Sequence, residues 1–198
     1  MTRIDIKDVV ENLIDTFLNA GKISLDLRDK GLTKETKSDN TPVSNGDLEV
    51  NKIVSQKISK LTPDIPIISE ETSDNKSIKS LKNFWLIDPI DGTYDYINNK
   101  DEFTINAGLI IDKRPVAGLI YAPAKNRMFY SFGKGKSFEF TNNEKINLSE
   151  MPSKRTEPLN FISYSNKIKL GFLKSSLPYK ISLPLKSVTF PPVCFRIA

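Results

Sequence analysis

The sequence predicts an α+β fold in which helices come first and a run of neighbouring strands then pairs into an antiparallel sheet. Three observations predict it. Apolar residues from Ile6 to Leu18 recur at helical spacing, a second helical stretch follows Ser44, and short apolar runs from Phe84 onward are separated by turn residues at hairpin distances. The 198 residues suit one domain, or one domain and part of a second. Hydrophobic residues make up 38% and charged residues 27%, enough apolar material to form a buried core.

In the first helix Ile6, Val9, Val10, Leu13, Ile14, Phe17 and Leu18 form one face, and the helix either stops near Gly21 or runs on to about Asp29. Residues 34–43 are polar and end in Thr41-Pro42-Val43, so they read as an extended segment or loop. Ser44 to Asp47 opens the second helix, whose inner face is Val50, Ile53, Val54, Lys57, Ile58 and Leu61, and Pro63 ends it. Ile65 to Ile68 and Phe84 to Ile87 read as short buried strands, with a polar, exposed stretch from Ser73 to Ser80 between them. Phe103 to Ile111 and Val116 to Tyr121 flank a four-residue turn, Asp112 to Pro115. Arg127 to Phe132 and Lys136 to Phe140 continue the meander around Gly133 and Gly135, and Asn142-Asn143 is a further turn. Residues 149–158 read as a linker, with Phe161–Tyr164 and Val193–Ala198 as later strands, giving a first domain over 1–148 and a partial second one over 149–198.

Composition excludes several chemistries. The chain has no histidine and one cysteine, Cys194, so Ser-His-Asp triads, Cys-His dyads, His-bound metals and intramolecular disulfides are out. Any reaction here runs on carboxylates, hydroxyls, lysines, arginines and hard metals. The net charge of +5 comes from scattered lysines; it suits weak steering of an anionic ligand and gives no nucleic-acid groove. No run of 18 apolar residues suggests a membrane span, and the first residues lack the apolar core of a signal peptide, so the expected compartment is the cytoplasm.

Two of the short strands run into acidic residues, Glu70-Glu71 after the first and Asp88 and Asp91 after the second. Pro89 stiffens the second turn and Gly92 allows a tight bend, a combination that can aim Asp88 and Asp91 at one point. Clustered carboxylates repel each other unless a cation joins them, and Mg²⁺ prefers such oxygens. The plainer reading is two capped turns with exposed acids. Thr93 can relay a proton or hold a phosphate oxygen, or it can cap a helix that begins near Tyr94. Asp47 carries the same ambiguity, because Ser44 and Asp47 have the spacing of a capping box.

Taken together, Lys37 to Asp47, Ser69-Glu70-Glu71 and Trp85 to Thr93 resemble, in order and rough spacing, the inositol monophosphatase superfamily. Glu102 to Asn106, Pro115 to Gly118 and Tyr121 to Pro123 are most similar to its CysQ-type 3′(2′),5′-bisphosphate nucleotidases. The resemblance implies a layered αβαβα sugar-phosphatase-like sandwich and Mg²⁺-dependent hydrolysis of a small phosphorylated anion by a metal-activated water. It implies Glu70, Asp88, the Ile90 carbonyl and Asp91 as metal ligands. Asp47 and Thr93 would activate the water, and Asp91, Gly92 and Thr93 would face the substrate. In the CysQ type the substrate would be adenosine 3′,5′-bisphosphate, giving AMP and phosphate in sulfur assimilation. Inositol monophosphatase is the alternative enzyme, a non-catalytic metal- or phosphate-binding remnant is the alternative of another class, and a homodimer is the expected assembly.

The pattern departs from the family after about residue 140. The family's Trp-Asp-Thr-Ala-Ala-type element, whose Asp completes the second metal site, does not occur before Ala198, and the single tryptophan is Trp85. Ile162 to Asn166 stands where CysQ relatives carry a Ser-Arg-Ser-His element. The expectation is a chain truncated at its C-terminus, with weak binding of a second Mg²⁺ and impaired activity.

Overall fold

The computed structural model describes residues 5–37, 41–72 and 81–150. Helix α1 (Ile6–Lys30) starts where the Asp5 carboxylate accepts from the backbone N–H groups of Lys7 and Asp8, at 3.0 and 3.3 Å. It runs unbroken through Gly21, so the longer of the two expected helices forms. Gly21 is required by packing: a Cβ there would collide with the Tyr121 ring.

The segment expected to be extended or loop forms a small hairpin, β1 (Lys34–Thr36) with β2 (Pro42–Ser44). Helix α2 (Asn45–Leu61) follows and buries Val50, Val54 and Ile58. The main sheet has seven strands in chain order: β3 (Ile67–Ser69), β4 (Phe84–Asp91), β5 (Thr104–Ile111), β6 (Arg114–Ala122), β7 (Arg127–Ser131), β8 (Ser137–Thr141) and β9 (Glu144–Asn147). A short helix, α3 (Thr93–Ile97), lies between β4 and β5.

The expectation of an antiparallel sheet is corrected at one edge. β3 pairs parallel with β4, whereas β4 to β9 are joined by reversals and pair antiparallel. The turn between β5 and β6 is also tighter than expected. Ile111 pairs with Arg114, leaving the two residues Asp112 and Lys113, both at positive φ (49° and 63°). Two left-handed residues match the twist of a hairpin better than a four-residue loop. Asn142 and Asn143 repeat the device between β8 and β9.

Helices α1 and α2 pack on one face of the sheet. Val10, Leu13, Phe17, Val54 and Ile58 meet Trp85, Ile87, Ile105, Leu109, Leu119 and Met128, all essentially inaccessible. The Trp85 indole N–H, buried in this layer, donates to Thr62 Oγ1 at 3.0 Å. Leu86, Ile110, Ile120 and Phe129 stand on the other face. Asp88 and Asn106 continue that second face at one end of the central strands. Among the described residues no helix is long and apolar enough to cross a membrane. The stretches expected at 73–80, 151–158, 161–164 and 193–198 lie outside the described residues, as does most of the expected second domain; 148–150 form a single 3₁₀ turn.

Candidate active site

Strand β4 was expected to end at Ile87 but continues to Asp91, and the extension decides the geometry. Asp88 pairs with Asn106 and Asp91 with Thr104, so three steps on β4 match two on β5, a β-bulge. In a regular strand residues three apart point to opposite faces. Here Pro89 and Ile90 are both buried in succession, and the extra residue returns Asp91 to the face that carries Asp88. The bulge therefore places two carboxylates side by side.

Gly92 ends the strand at φ 96° and ψ 32° and caps α3. A side chain there would be strained by its backbone and would bring a Cβ to 2.7 Å from the Glu102 carbonyl oxygen. The expected alternative role of Thr93 as the helix cap is thus corrected: Gly92 takes the cap position, with no side-chain cap bond, and Thr93 is the first helical residue. Its hydroxyl is left for other partners and lies 3.0 Å from Asp47 Oδ1 and 2.9 Å from the Ile90 carbonyl oxygen.

Asp47 carries both roles that the sequence left open. Its Oδ2 accepts from the Ser44 backbone N–H at 2.9 Å and the Ser44 hydroxyl at 2.6 Å, closing the capping box of α2. Its Oδ1 faces Thr93. Burial pushes the Asp47 carboxyl above its ordinary value, and the hydrogen bonds from Ser44 and Thr93 oppose that rise.

Burial, together with the charges of Glu70 and Asp91, pushes Asp88 up to about 8. Asp91 rises to about 6, chiefly through burial, with the Asn106 hydrogen bond pulling it down and the charge of Glu70 adding to the rise. Glu70 follows β3, and its backbone N–H donates to the Ile87 carbonyl at 3.1 Å, which ties the two acidic turns together. Glu70 Oε1 also lies 3.4 Å from Lys37 Nζ, while Lys37 makes a closer contact of 2.8 Å with the buried Glu71. Burial lowers the Lys37 pKa, but the hydrogen bond and charges of Glu71 and Glu70 outweigh it and leave it raised.

The residues fit a hard divalent cation by their chemistry: carboxylate oxygens, repelling each other, and Asp88 Oδ1 buried with no hydrogen-bond partner in the protein. The expected tight convergence is corrected in one respect. Among the described residues no three acidic side chains close round one point as a cage. Half-exposed Glu70 makes an ion pair with Lys37 and also a side-chain hydrogen bond with Asp88, so it joins the Asp88–Asp91 pair from the solvent side.

Lys37, Thr104 and Asn106 have no role in the sequence-based expectations, although each lies in a motif that carries the resemblance. The available signal was Thr104 and Asn106 themselves, polar residues at alternate positions of an otherwise apolar strand.

A sequence model of the inositol monophosphatase family matches residues 5–172. The chain belongs to the inositol monophosphatase family. The 3′(2′),5′-bisphosphate nucleotidase CysQ of Escherichia coli (strain K12) is 36% identical over 124 residues, covering 61% of this chain and 50% of that protein. CysQ of Buchnera aphidicola (subsp. Acyrthosiphon pisum, strain APS) is 33% identical over 179 residues, covering 84% of this chain and 66% of that one. Among solved structures, an IMPase/NADP phosphatase complexed with Mg²⁺ and phosphate superposes with a TM-score of 0.59 at 21% identity, covering 68% of this chain and 51% of that one. This family member spans about half the length of the first curated relatives it matches.

Proposed function

We propose that this inositol monophosphatase family chain is a Mg²⁺-dependent phosphomonoesterase of the CysQ type, hydrolysing adenosine 3′,5′-bisphosphate to AMP and phosphate. The hydrogen bond between Thr93 and Asp47 beside the Asp88–Asp91 pair carries the reading. The nucleotidase relatives at 33–36% identity support the substrate class.

In this reading Glu70, Asp88, the Ile90 carbonyl and Asp91 would hold the metal. When bound, Mg²⁺ supplies Lewis acidity, lowering the pKa of a coordinated water and neutralising phosphoryl charge. Asp47, fixed at Oδ2 by Ser44, keeps Oδ1 toward the Thr93 hydroxyl and attracts its proton. The Thr93 oxygen then turns its lone pairs outward, where it orients an attacking water by accepting one of its hydrogens and, with Asp47 behind it, draws off the proton. Asp91, Gly92 and Thr93 form the substrate-facing turn, and the absence of a side chain at Gly92 lets that turn pack against the Glu102 carbonyl and Phe103. The surplus of +5 steers the anion toward the site.

Phosphate release from adenosine 3′,5′-bisphosphate and from inositol 1-phosphate, with Mg²⁺ and with chelator, tests the reading. Mg²⁺-dependent turnover favouring the nucleotide is expected. Preference for inositol 1-phosphate assigns the chain to the other enzyme, and Mg²⁺ binding without turnover on either assigns it a non-catalytic role.

A further inference from the structure

Beside the carboxylates lie two polar side chains that the proposed reaction does not use. Thr104 and Asn106 are each only 7% exposed. They sit two residues apart on β5, directly opposite Asp91 and Asp88. Residues two apart share a face, so both stand on the carboxylate face of the sheet. Asn106 Nδ2 donates to Asp91 Oδ2 at 3.2 Å. Its Oδ1 has no partner in the protein, nor has Thr104 Oγ1, nor has Asp88 Oδ1 across the strand pair. Three unpaired buried oxygens within two rungs of one ladder are a costly arrangement unless something outside the protein supplies their partner.

The chemistry of these atoms narrows what that partner is. The amide Oδ1 and an ionised carboxylate accept hydrogen bonds and donate none. A phosphoryl oxygen is also an acceptor: it can take the Thr104 hydroxyl proton but cannot satisfy the amide oxygen or the carboxylate. A hydrated cation can, because its waters point their hydrogens outward, and Mg²⁺ keeps several of its waters when bound. We propose that Asn106 and Thr104 form an acceptor rail for the waters of a hydrated divalent cation, and that Asn106 is in addition the positioning residue for Asp91. The proposal rests on the metal-site reading above. It assigns metal affinity to a strand that contributes no charge to the site.

The test is Mn²⁺ titration of the full 198-residue chain, with free Mn²⁺ followed by electron paramagnetic resonance, for wild type, Asn106→Leu and Thr104→Val. Each variant keeps the branched shape and removes the acceptor, and Asn106→Leu also removes the donor to Asp91. Both are expected to bind Mn²⁺ about 10- to 100-fold more weakly than wild type, the usual effect of groups that act through a metal's ligands. The melting temperature of Thr104→Val in excess chelator is expected to equal or exceed the wild-type value, because an unpaired buried oxygen has gone, whereas Asn106→Leu also loses its hydrogen bond to Asp91 and is read by affinity alone. Wild-type Mn²⁺ affinity in both variants overturns the proposal and leaves the metal site standing. A Thr104→Val melting temperature that falls in chelator along with affinity overturns it too, since that residue is then structural. If Asn106→Leu does not fold, Thr104→Val decides alone. A folded wild-type chain that takes up no Mn²⁺ removes the metal-site reading itself, and this proposal with it.

Discussion

The two carboxylate oxygens of Asp47 serve two elements: Oδ2 closes the cap of α2 on Ser44, and Oδ1 lies 3.0 Å from the hydroxyl of Thr93, 46 residues later in the chain. The helix cap fixes the carboxylate, and the fixed carboxylate sets the direction of the threonine proton. A structural device and a chemical one thus share a single side chain.

Replacing Thr93 separates the two functions. Thr93→Val keeps shape and loses the hydroxyl. Its kcat on adenosine 3′,5′-bisphosphate should fall by about 10²-fold or more, in the range for a lost proton-transfer group, while KM changes little. Thr93→Ser should restore most of the rate. Steady-state phosphate release measures all three, and a valine variant with wild-type kcat removes Thr93 from the chemistry.

The raised carboxylates set the pH dependence of stability in the metal-free chain. Asp88 and Asp91 titrate at about 8 and about 6 when folded, above their unfolded value of 3.8. The folded chain therefore binds protons more tightly. Their contribution is fully present below about pH 4, and it is lost as pH rises through the two folded values. In excess chelator the melting temperature should drop across this window, most steeply between about pH 4 and 6, where both groups hold their protons in the folded chain and lose them on unfolding, and less steeply from there to about 8, where Asp88 alone does. Asp88→Asn should flatten the upper part of the decline, and added Mg²⁺ should raise the melting temperature most at high pH. Thermal melts across pH check the sign, and an Asp88→Asn variant whose profile still falls as steeply as wild type contradicts it.

Gly92 has two independent reasons to be glycine, a φ of 96° and a Cβ position 2.7 Å from a backbone carbonyl. Gly92→Ala should destabilise the chain by about 1–3 kcal/mol through strain at that backbone conformation. It should also lower activity, because the turn carrying Thr93 must shift. Urea unfolding gives the first number and phosphate release the second.

Arg28 holds the loop behind that turn. Its guanidinium, 11% exposed, donates to the Lys100 carbonyl at 2.7 Å and to Asp101 at 3.1 Å, and it lies over the Phe103 ring at 5.5 Å. Asp101 is 52% exposed, so its ion pair is screened by water and contributes under about 1 kcal/mol. The shorter hydrogen bond to the Lys100 carbonyl and the packing of the Arg28 side chain over the Phe103 ring are independent of Asp101. Arg28→Met should therefore cost clearly more stability than Asp101→Ala in urea unfolding. Equal costs place the energy in the ion pair instead.

Much of this protein was legible in its sequence because local patterns are what determined it. Periodicity alone located both long helices, turn residues alone located the meander, and the spacing of Ser44 and Asp47 alone announced a cap. The same sequence placed Glu70, Asp88, Asp91 and Thr93 near one another by motif. It could not say which way their side chains point, because direction in a sheet depends on pairing register. The one-residue bulge opposite Ile105 turns Asp91 onto the face of Asp88, and only the β4–β5 pairing creates it. Register likewise sets Asn106 and Thr104 against the carboxylates. The parallel entry of β3 and the contacts of Glu70 with Lys37 and Asp88 are also long-range facts. A local pattern repeats along the chain and can be read there; the facing of side chains across strands is settled only when distant segments pair.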